Sequence, residues 1–203
     1  MIFMNILKRG AEAILYKEGE ELVKERIKKS YRIKEIDEPL RRQRTKGEAR
    51  LLSEARRAGV NAPKVFSVED NKIKMEFIDG TRIKELIYQE DSNKGAIAEE
   101  IGKSVGLLHS HNIVHGDLTT SNMIMHDGKI YFIDFGLGFQ TSKIEDFGTD
   151  LSVFKEALKS THIVHLTLLW ERFISGYVQT NSNSKLILNV LGNIETRGRY
   201  IRR

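Results

Sequence analysis

Two short polar motifs, separated by a few apolar residues, constrain the fold of this chain more than any other feature. The first reads HGDLTTSN over residues 115–122, and the second reads IDFG over residues 133–136. The apolar run MIM follows the first motif and the run IYFI leads into the second at Ile133, and the two runs are joined by a turn that contains Asp-Gly. Asp-Gly between two apolar runs is a strong hairpin signal. Because the hairpin folds Asp134 back beside Asn122, we expect Asp117, Asn122 and Asp134 to converge.

Three oxygen-bearing side chains in this arrangement suit magnesium nucleotide chemistry. Mg²⁺ prefers hard oxygen ligands and keeps waters and phosphate oxygens in its shell. Asn122 and Asp134 are therefore the predicted metal ligands, and Asp117 is the predicted catalytic residue, free to accept a hydroxyl proton or to hold a water. Either motif alone would also fit a polar turn with a capping Asp. Together they resemble the catalytic loop and the metal-binding motif of the protein-kinase-like fold.

This resemblance implies further residues that bind ATP, and the chain offers them in the expected order. Lys24, in LVKER, lies on the predicted third strand and would contact the α- and β-phosphates. Glu48 lies on the next helix, where a Lys–Glu pair is part of the catalytic apparatus of this fold. Both residues could otherwise be ordinary surface charges. Gly10 is the single glycine of KRGAEAIL, a phosphate loop that has three glycines in the kinase pattern.

The segment MEFIDG is predicted to be the hinge between two lobes, although it also fits the plain end of a strand. The backbone of Glu76 and Ile78 would pair with adenine, and Met75 would line the nucleotide pocket. Strand patterns dominate before this segment and helical patterns dominate after it. We therefore expect an α+β, two-lobed protein-kinase-like fold, with an N-lobe over residues 1–79 and a C-lobe over residues 80–203.

The pattern of apolar residues, glycines and prolines also predicts the helices. One helix is expected to begin with Asp37 or Glu38 as its cap, with Pro39 in the first turn, where its missing N–H costs nothing. Gly59 is expected to end it. Further helices are predicted over about 94–111, 148–178 and 182–196.

Three histidines and one aspartate near the motifs invite functional interpretations. His115 is imaginable as a metal ligand or general base, but a packed histidine that holds the catalytic loop is the favoured interpretation. His109 and His111 are expected to be surface or helix-end residues. Asp150, in GTDLSVF, either hydrogen-bonds the catalytic-loop backbone or simply caps a helix.

The chain departs from ordinary protein kinases where a protein substrate would bind. Gly116 stands where regulated kinases have an arginine that helps bind an activation-loop phosphate. Thr119 replaces a lysine that often follows the catalytic aspartate. No A-P-E motif follows Gly136, and little chain remains beyond it. We therefore expect a reduced helical C-lobe without a full activation segment.

Seven segments along nearly the whole chain carry a narrower resemblance. They include RGAEAILY, VKERIKKSYR, PLRRQRTKGEARLL, HGDLTTSNM and the ending RGRYIRR. Together they are similar to the small atypical kinase subunit of the KEOPS/EKC complex, in a compact, archaeal-like form. The resemblance implies ATP hydrolysis that supports threonylcarbamoyladenosine modification of tRNA, and weak serine autophosphorylation. It also implies two protein partners, the KEOPS subunit that makes the modification and a second small subunit on the N-lobe.

The distribution of charge leaves room for a nucleic-acid partner. The net charge of +5 is modest, but four arginines crowd the end of the chain. Flexible arginine-rich ends suit phosphate backbones, although this tail could equally fold back to the nucleotide site or dock on a partner. The four residues are Arg197, Arg199, Arg202 and Arg203.

Composition and the N-terminal sequence bear on the cellular location. There is no cysteine, so disulfides and thiolate metal sites are excluded. No signal peptide and no membrane span are visible, and a cytoplasmic protein is expected.

Two other functions remain compatible with the sequence. His-Gly-Asp loops also occur in phosphotransferases that act on small molecules, which need a larger C-lobe to bind their substrate. A non-catalytic scaffold subunit of the same complex is the other alternative. Retention of Lys24, Asp117, Asn122 and Asp134 argues against a scaffold, and we expect an ATP- and Mg²⁺-dependent enzyme.

Overall fold

The first part of the chain forms a five-stranded antiparallel sheet. The computed structural model describes residues 5–90 and 92–201. The strand order is β1-β2-β3-β5-β4. Gly19 and Asp70 have positive φ angles in the turns that join β2 to β3 and β4 to β5. The strands are β1 Asn5–Arg9, β2 Ala13–Glu18, β3 Glu21–Arg26, β4 Val65–Glu69 and β5 Lys72–Glu76.

Helix α1, Lys34–Arg57, connects β3 to β4, and its predicted beginning is wrong. The helix starts three residues before Asp37, so Pro39 lies inside it and not in its first turn. The Asp37 side chain is fully buried, with its carboxylate 2.6 Å from Arg41 Nε, and it accepts a hydrogen bond from the backbone N–H of Lys29. Because Arg41 of the same helix and the backbone of Lys29 hold this carboxylate, it does not cap the helix.

The second part of the chain contains five helices among the described residues. The predicted helix over 94–111 is confirmed, whereas the one over 148–178 is two helices that meet at His162. The backbone of His162 leaves the helical region with φ −129°, and its buried ring contacts Thr120 across the fold. The helices are α2 Ile83–Leu86, α3 Lys94–Ser110, α4 Ile144–Thr161, α5 Leu166–Thr180 and α6 Ser184–Ile201.

Short strands in the second part carry the two polar motifs. β8 and β9 form the predicted hairpin, with Met123 opposite Phe132, and β6 pairs with the other edge of β8. β7 and β10 form a separate antiparallel pair. These strands are β6 Thr81–Arg82, β7 Ile113–Val114, β8 Met123–His126, β9 Lys129–Phe132 and β10 Phe139–Gln140.

One apolar core extends from the sheet into the helices. It includes Ile73 and Met75 of β5 as well as Val105 of α3 and Phe173 of α5. None of the helices within the described residues is long and apolar enough to cross a membrane. We propose that the N-lobe comprises residues 1–79 and the C-lobe residues 80–203, because the five-stranded sheet and α1 all lie before residue 80.

Candidate nucleotide and metal site

The β8–β9 hairpin places Asp117, Asn122 and Asp134 at one site. The backbone N–H of Ile133 donates to the Asn122 carbonyl over 3.0 Å, which holds the two motifs side by side. Asn122 Nδ2 donates to Asp117 Oδ2 at 2.8 Å and to the Asp117 carbonyl at 2.9 Å. Since the amide nitrogen is used in this way, the Asn122 Oδ1 acceptor is left for another ligand.

Lys24 joins the sheet, helix α1 and the second motif. Its Nζ lies 2.6 Å from Glu48 Oε1 and 2.7 Å from Asp134 Oδ1. Lys24 is 8 % exposed and Glu48 only 2 % exposed. A buried ammonium needs paired carboxylates, and this one has two from different elements. The structure thus brings together the predicted phosphate lysine, its helix partner and a predicted metal ligand.

Asp134 has two features typical of a functional position. Its φ is +63°, a left-handed conformation that is uncommon outside glycine and is found at functional sites. Burial alone would raise the pKa of its carboxyl, but the Lys24 ammonium outweighs burial and holds that pKa below its usual value. The carboxylate is therefore ionised at neutral pH.

The three residues adjoin a cleft that has an apolar and a polar section. Gly10, Lys24, Asp117 and Asp134 line the polar section. Met75, Glu76 and Ile78, the predicted hinge residues, line the apolar section, with Lys24 and Asp134 shared by both. The other apolar lining residues are Leu7, Leu15, Leu22, Pro63, Phe77, Ile124 and Ile133.

The backbone of Glu76 is already partly engaged within the sheet. Its N–H donates to the Lys64 carbonyl over 2.8 Å, and its carboxylate accepts from the Lys64 N–H over 3.0 Å. A hinge contact from Glu76 would therefore come from its carbonyl oxygen and not from its amide.

Asp150 supports the catalytic loop from inside helix α4, so it does not act as a simple helix cap. Its two oxygens accept from the backbone N–H groups of His115 at 2.9 Å and Gly116 at 3.0 Å. Burial alone would raise the pKa of the Asp150 carboxyl, but the hydrogen bond to His109 and the neighbouring His115 keep it below its usual value. The loop is thus held by an ionised buried carboxylate.

His109 lies in the last turn of α3, as expected for a helix-end residue, but its side chain is buried and not at the surface. Its Nε2 lies 3.2 Å from Asp150 Oδ2 and its Nδ1 lies 2.9 Å from the Tyr177 hydroxyl. The ring is drawn into the core because it satisfies both polar groups there. His111, in contrast, is exposed at the end of α3, as expected.

His115 holds the catalytic loop, as the favoured interpretation predicted. Its Nδ1 accepts from the Asp117 N–H over 3.3 Å, which leaves Nε2–H to donate to the Ile133 carbonyl over 3.2 Å. Burial lowers the pKa of His115, so the imidazole is neutral. With both nitrogens used in this way, His115 links the two motifs and has no lone pair for a metal.

The structure adds three charged residues that sequence reasoning missed. Arg26 Nη2 lies 2.5 Å from Glu48 Oε2, so Glu48 holds two cations. The signal for Arg26 was its position two residues after Lys24, on the same face of β3. Glu12, in the phosphate loop, pairs with Arg44 of α1 over 2.8 Å, and no sequence pattern indicated this contact.

The donors at the site fit a metal ion that is shared with a phosphate. Within residues 5–90 and 92–201 no group of three or more His, Cys, Asp or Glu is placed to hold a metal by itself. Asn122 and Asp134 offer two oxygens, and Mg²⁺ sites of this kind complete their shell with water and substrate phosphates.

The basic C-terminal tail is described only in part. Arg197 lies near the end of α6, with its Nη1 3.2 Å from Glu145 Oε1, and its side chain is 70 % exposed. The side chain of Arg199 and the whole of Arg202 and Arg203 lie outside the described residues.

Comparison with protein-family models shows to which family the chain belongs. The model of the RIO domain matches residues 11–146, which span Lys24, Glu48 and both polar motifs. The chain belongs to the RIO domain family.

Solved structures agree on the fold. The Rio2 kinase of Chaetomium thermophilum, in a complex with ADP, Mg²⁺ and phosphoaspartate, matches with a TM-score of 0.61 at 13 % identity, over 98 % of this chain and 72 % of that one. The amicoumacin kinase hAmiN matches with a TM-score of 0.63 at 14 % identity, over 93 % of this chain and 78 % of that one. The expected two-lobed kinase-like fold is thereby confirmed.

Curated proteins similar to this chain also confirm its resemblance to the small kinase subunit of the KEOPS complex. The "KEOPS complex subunit Bud32" of Pyrococcus abyssi is 45 % identical, with 97 % of this chain and 96 % of that protein aligned. The "Probable bifunctional tRNA threonylcarbamoyladenosine biosynthesis protein" of Methanosarcina acetivorans is 47 % identical over 96 % of this chain. The chain spans only 35 % of that protein's length, and the same holds for its counterparts in Methanosarcina barkeri and Methanosarcina mazei.

Proposed function

We propose that this chain is a MgATP-dependent phosphotransferase and ATPase of the atypical serine kinase type, and that it supports threonylcarbamoyladenosine modification of tRNA as a subunit of a KEOPS complex. The observation that carries the chemical part is the placement of Lys24. Its ammonium contacts both Glu48 and Asp134, while Asn122 ties down Asp117 at the same site. Phosphoryl transfer relies on positioning and charge stabilisation, which this cluster supplies.

The nucleotide would extend through both sections of the cleft. Adenine would occupy the apolar section beside Met75, with the Glu76 carbonyl and the Ile78 amide as its hydrogen-bond partners. The phosphates would lie in the polar section, below the loop at Gly10, in contact with Lys24. The apolar lining fits a base, and the lysine fits the α- and β-phosphates.

Asn122 and Asp134 would hold Mg²⁺, through Asn122 Oδ1 and the ionised Asp134 carboxylate. When bound, Mg²⁺ neutralises charge on the phosphate oxygens. Asp117 is the proposed catalytic residue. Its carboxylate would orient the attacking hydroxyl and accept its proton, and that hydroxyl belongs to water in ATP hydrolysis and to serine in protein phosphorylation.

The proposed partners follow from the relatives and not from the cleft. The Pyrococcus relative is named as a KEOPS subunit, and the longer Methanosarcina relative is named for tRNA threonylcarbamoyladenosine biosynthesis. We therefore infer that the chain works beside the subunit that makes this modification, with a second small subunit on its N-lobe. Contact with tRNA is proposed for the tail that begins at Arg197.

A turnover assay with purified chain tests the proposal. ATP hydrolysis and phosphate incorporation into serine should both require Mg²⁺. Addition of the KEOPS partner and tRNA should change the ATPase rate. Absence of MgATP turnover in every combination would refute the enzymatic proposal and favour a scaffold. Turnover that depends on a small-molecule acceptor and not on the partner would favour a small-molecule phosphotransferase.

The pair of Lys24 and Glu48 gives a first prediction. Lys24→Met should lower kcat/KM for ATP by roughly a hundredfold, because a charged contact to phosphate is worth about 3 kcal/mol. Glu48→Gln should lower it less, since Glu48 acts through Lys24. The double variant should cost little more than Lys24→Met alone. Losses that multiply in the double variant would show that the two side chains act independently.

The basic tail gives a second prediction. Replacing Arg197 and Arg199 with glutamine should weaken tRNA binding without lowering Tm, because the Arg197 side chain is largely exposed. Each lost phosphate contact should reduce the slope of log affinity against log salt by roughly 0.7 to 0.9. Arg50→Gln, at an exposed site on α1, is the control. An unchanged slope would remove the tail from the tRNA contact, and a fall in ATP turnover would instead place it at the cleft.

A further inference from the structure

His162 lies at the break between α4 and α5 and contacts the catalytic loop. Its Nε2 is 2.9 Å from the Thr120 hydroxyl, and both residues are buried. The ring of Tyr88 packs on it with ring centroids 5.2 Å apart. Its Nδ1 is buried with no hydrogen-bond partner among the described residues. Burying a ring nitrogen without a hydrogen-bond partner costs free energy. Within the described part of the chain, the hydrogen bond to Thr120 is thus the one polar contact that holds the His162 ring in place.

The unused nitrogen fixes the direction of the hydrogen bond. If Nδ1 carried the proton, a buried N–H would have no acceptor, which is rarer and costlier than an unused lone pair. The proton therefore lies on Nε2, which donates to Thr120 Oγ1. Burial and the neighbouring His165 and Lys84 charges lower the pKa of His162 to about 4. The His162 ring is therefore neutral at physiological pH, and its Nε2–H remains the donor of the hydrogen bond to Thr120.

Thr120 begins the turn that presents Asn122. Residues Thr120–Asn122 form a 3-10 turn, and the Asn122 N–H closes it onto the Thr119 carbonyl over 3.0 Å. Arg82 holds the middle of the same turn through the Ser121 carbonyl. A shift of Thr120 therefore changes the orientation of Asn122, whose side chain also holds Asp117.

We propose that His162 is a positioning residue that fixes Asn122 for metal binding through its hydrogen bond to Thr120. This inference rests on the proposed function, since it assigns a support to one of the proposed Mg²⁺ ligands. Partners of this kind, which orient a metal ligand without touching the metal, typically change metal affinity or activity by about 10- to 100-fold when removed.

Two matched pairs of variants test the hydrogen bond. Thr120→Val removes the hydroxyl and keeps the shape, whereas Thr120→Ser keeps the hydroxyl. His162→Leu removes the donor, whereas His162→Gln places an amide N–H near the position of Nε2. Thr120→Val and His162→Leu should each raise the Mg²⁺ concentration for half-maximal ATP turnover about tenfold. Thr120→Ser and His162→Gln should stay within about threefold of the unmodified chain, and the KM for ATP at saturating Mg²⁺ should change little.

A control and a double variant separate positioning from loss of stability. Thr180→Val removes a hydroxyl that donates to the Lys103 carbonyl over 2.8 Å, away from the catalytic loop. It should lower Tm without moving the Mg²⁺ dependence. Thr120→Val combined with His162→Leu should match the worse single variant, because both remove the same bond. Multiplied losses, or a Mg²⁺ shift in Thr180→Val as large as in Thr120→Val, would overturn the proposal.

A second readout does not depend on catalysis. Amide hydrogen exchange over residues 117–122, measured without nucleotide, should speed up in Thr120→Val and His162→Leu but not in Thr120→Ser or Thr180→Val. If the unmodified chain lacked MgATP turnover, the proposed function would fail, while the exchange rates would still decide whether His162 holds this turn. Equal exchange in Thr120→Val and Thr180→Val would refute the positioning role.

Discussion

Asp134→Asn is expected to lower Mg²⁺-dependent ATP turnover by roughly a hundredfold or more, because a metal-held phosphate gains several kcal/mol of charge stabilisation. The change removes the negative charge and leaves the shape of the side chain. The fold should persist, since Lys24 keeps Glu48 as a partner at 2.6 Å. Asparagine also tolerates the left-handed backbone at this position, where φ is +63°. Steady-state turnover over a range of Mg²⁺ concentrations measures the effect.

A matched control lies in the same hairpin. Asp127 also has a left-handed backbone, with φ +47°, and its side chain is 88 % exposed in the β8–β9 turn. Asp127→Asn is therefore the same chemical change in the same conformation, away from the cleft. It should leave turnover unchanged, and both variants should melt within about 2 °C of the unmodified chain, which corresponds to less than about 1 kcal/mol. Near-normal turnover in Asp134→Asn would show that Asp134 does not bind the metal.

The hairpin and its polar residues could be predicted because their signals are local. Asp-Gly between apolar runs specified the turn, and the register of the hairpin then placed Asn122 beside Asp134. The pairing of Lys24 with Glu48 required a non-local argument. It was available only because the order of motifs resembled a known fold, which supplied the helix behind the sheet.

Other contacts could not be predicted, because no local pattern indicates which partner a polar side chain takes in the folded chain. Asp37 looked like a helix cap, but Arg41 and the backbone of Lys29 hold it in a buried position. His109 was expected to be a surface or helix-end residue; it does lie in the last turn of α3, but Asp150, 41 positions further along the chain, holds its ring in the core. The break at His162 was hidden for a similar reason, because the apolar periodicity continues from α4 into α5 while the ring is held by Thr120.

The close crossing of helices α3 and α5 leads to the largest expected loss of stability. A Cβ at Gly102 would lie 2.0 Å from the Phe173 carbonyl oxygen, and a Cβ at Gly176 would lie 1.9 Å from the Glu99 carbonyl oxygen. Both obstacles are backbone atoms, so no side-chain rotation can relieve the clash and the helices must separate. Gly176→Ala should therefore lower the free energy of unfolding by about 3 kcal/mol, and Tm by roughly 6–12 °C for a domain of this size.

Gly192→Ala is the control for the helix-crossing prediction. Gly192 lies in α6, and a Cβ there would have no neighbour within 4 Å. Because alanine is the better helix former by about 1 kcal/mol, this variant should be slightly more stable than the unmodified chain. Gly102→Ala should resemble Gly176→Ala, since each side chain would push against the opposite helix. Thermal and urea unfolding measure all three variants. Equal stability of Gly176→Ala and Gly192→Ala would mean that α3 and α5 do not need glycine in order to pack.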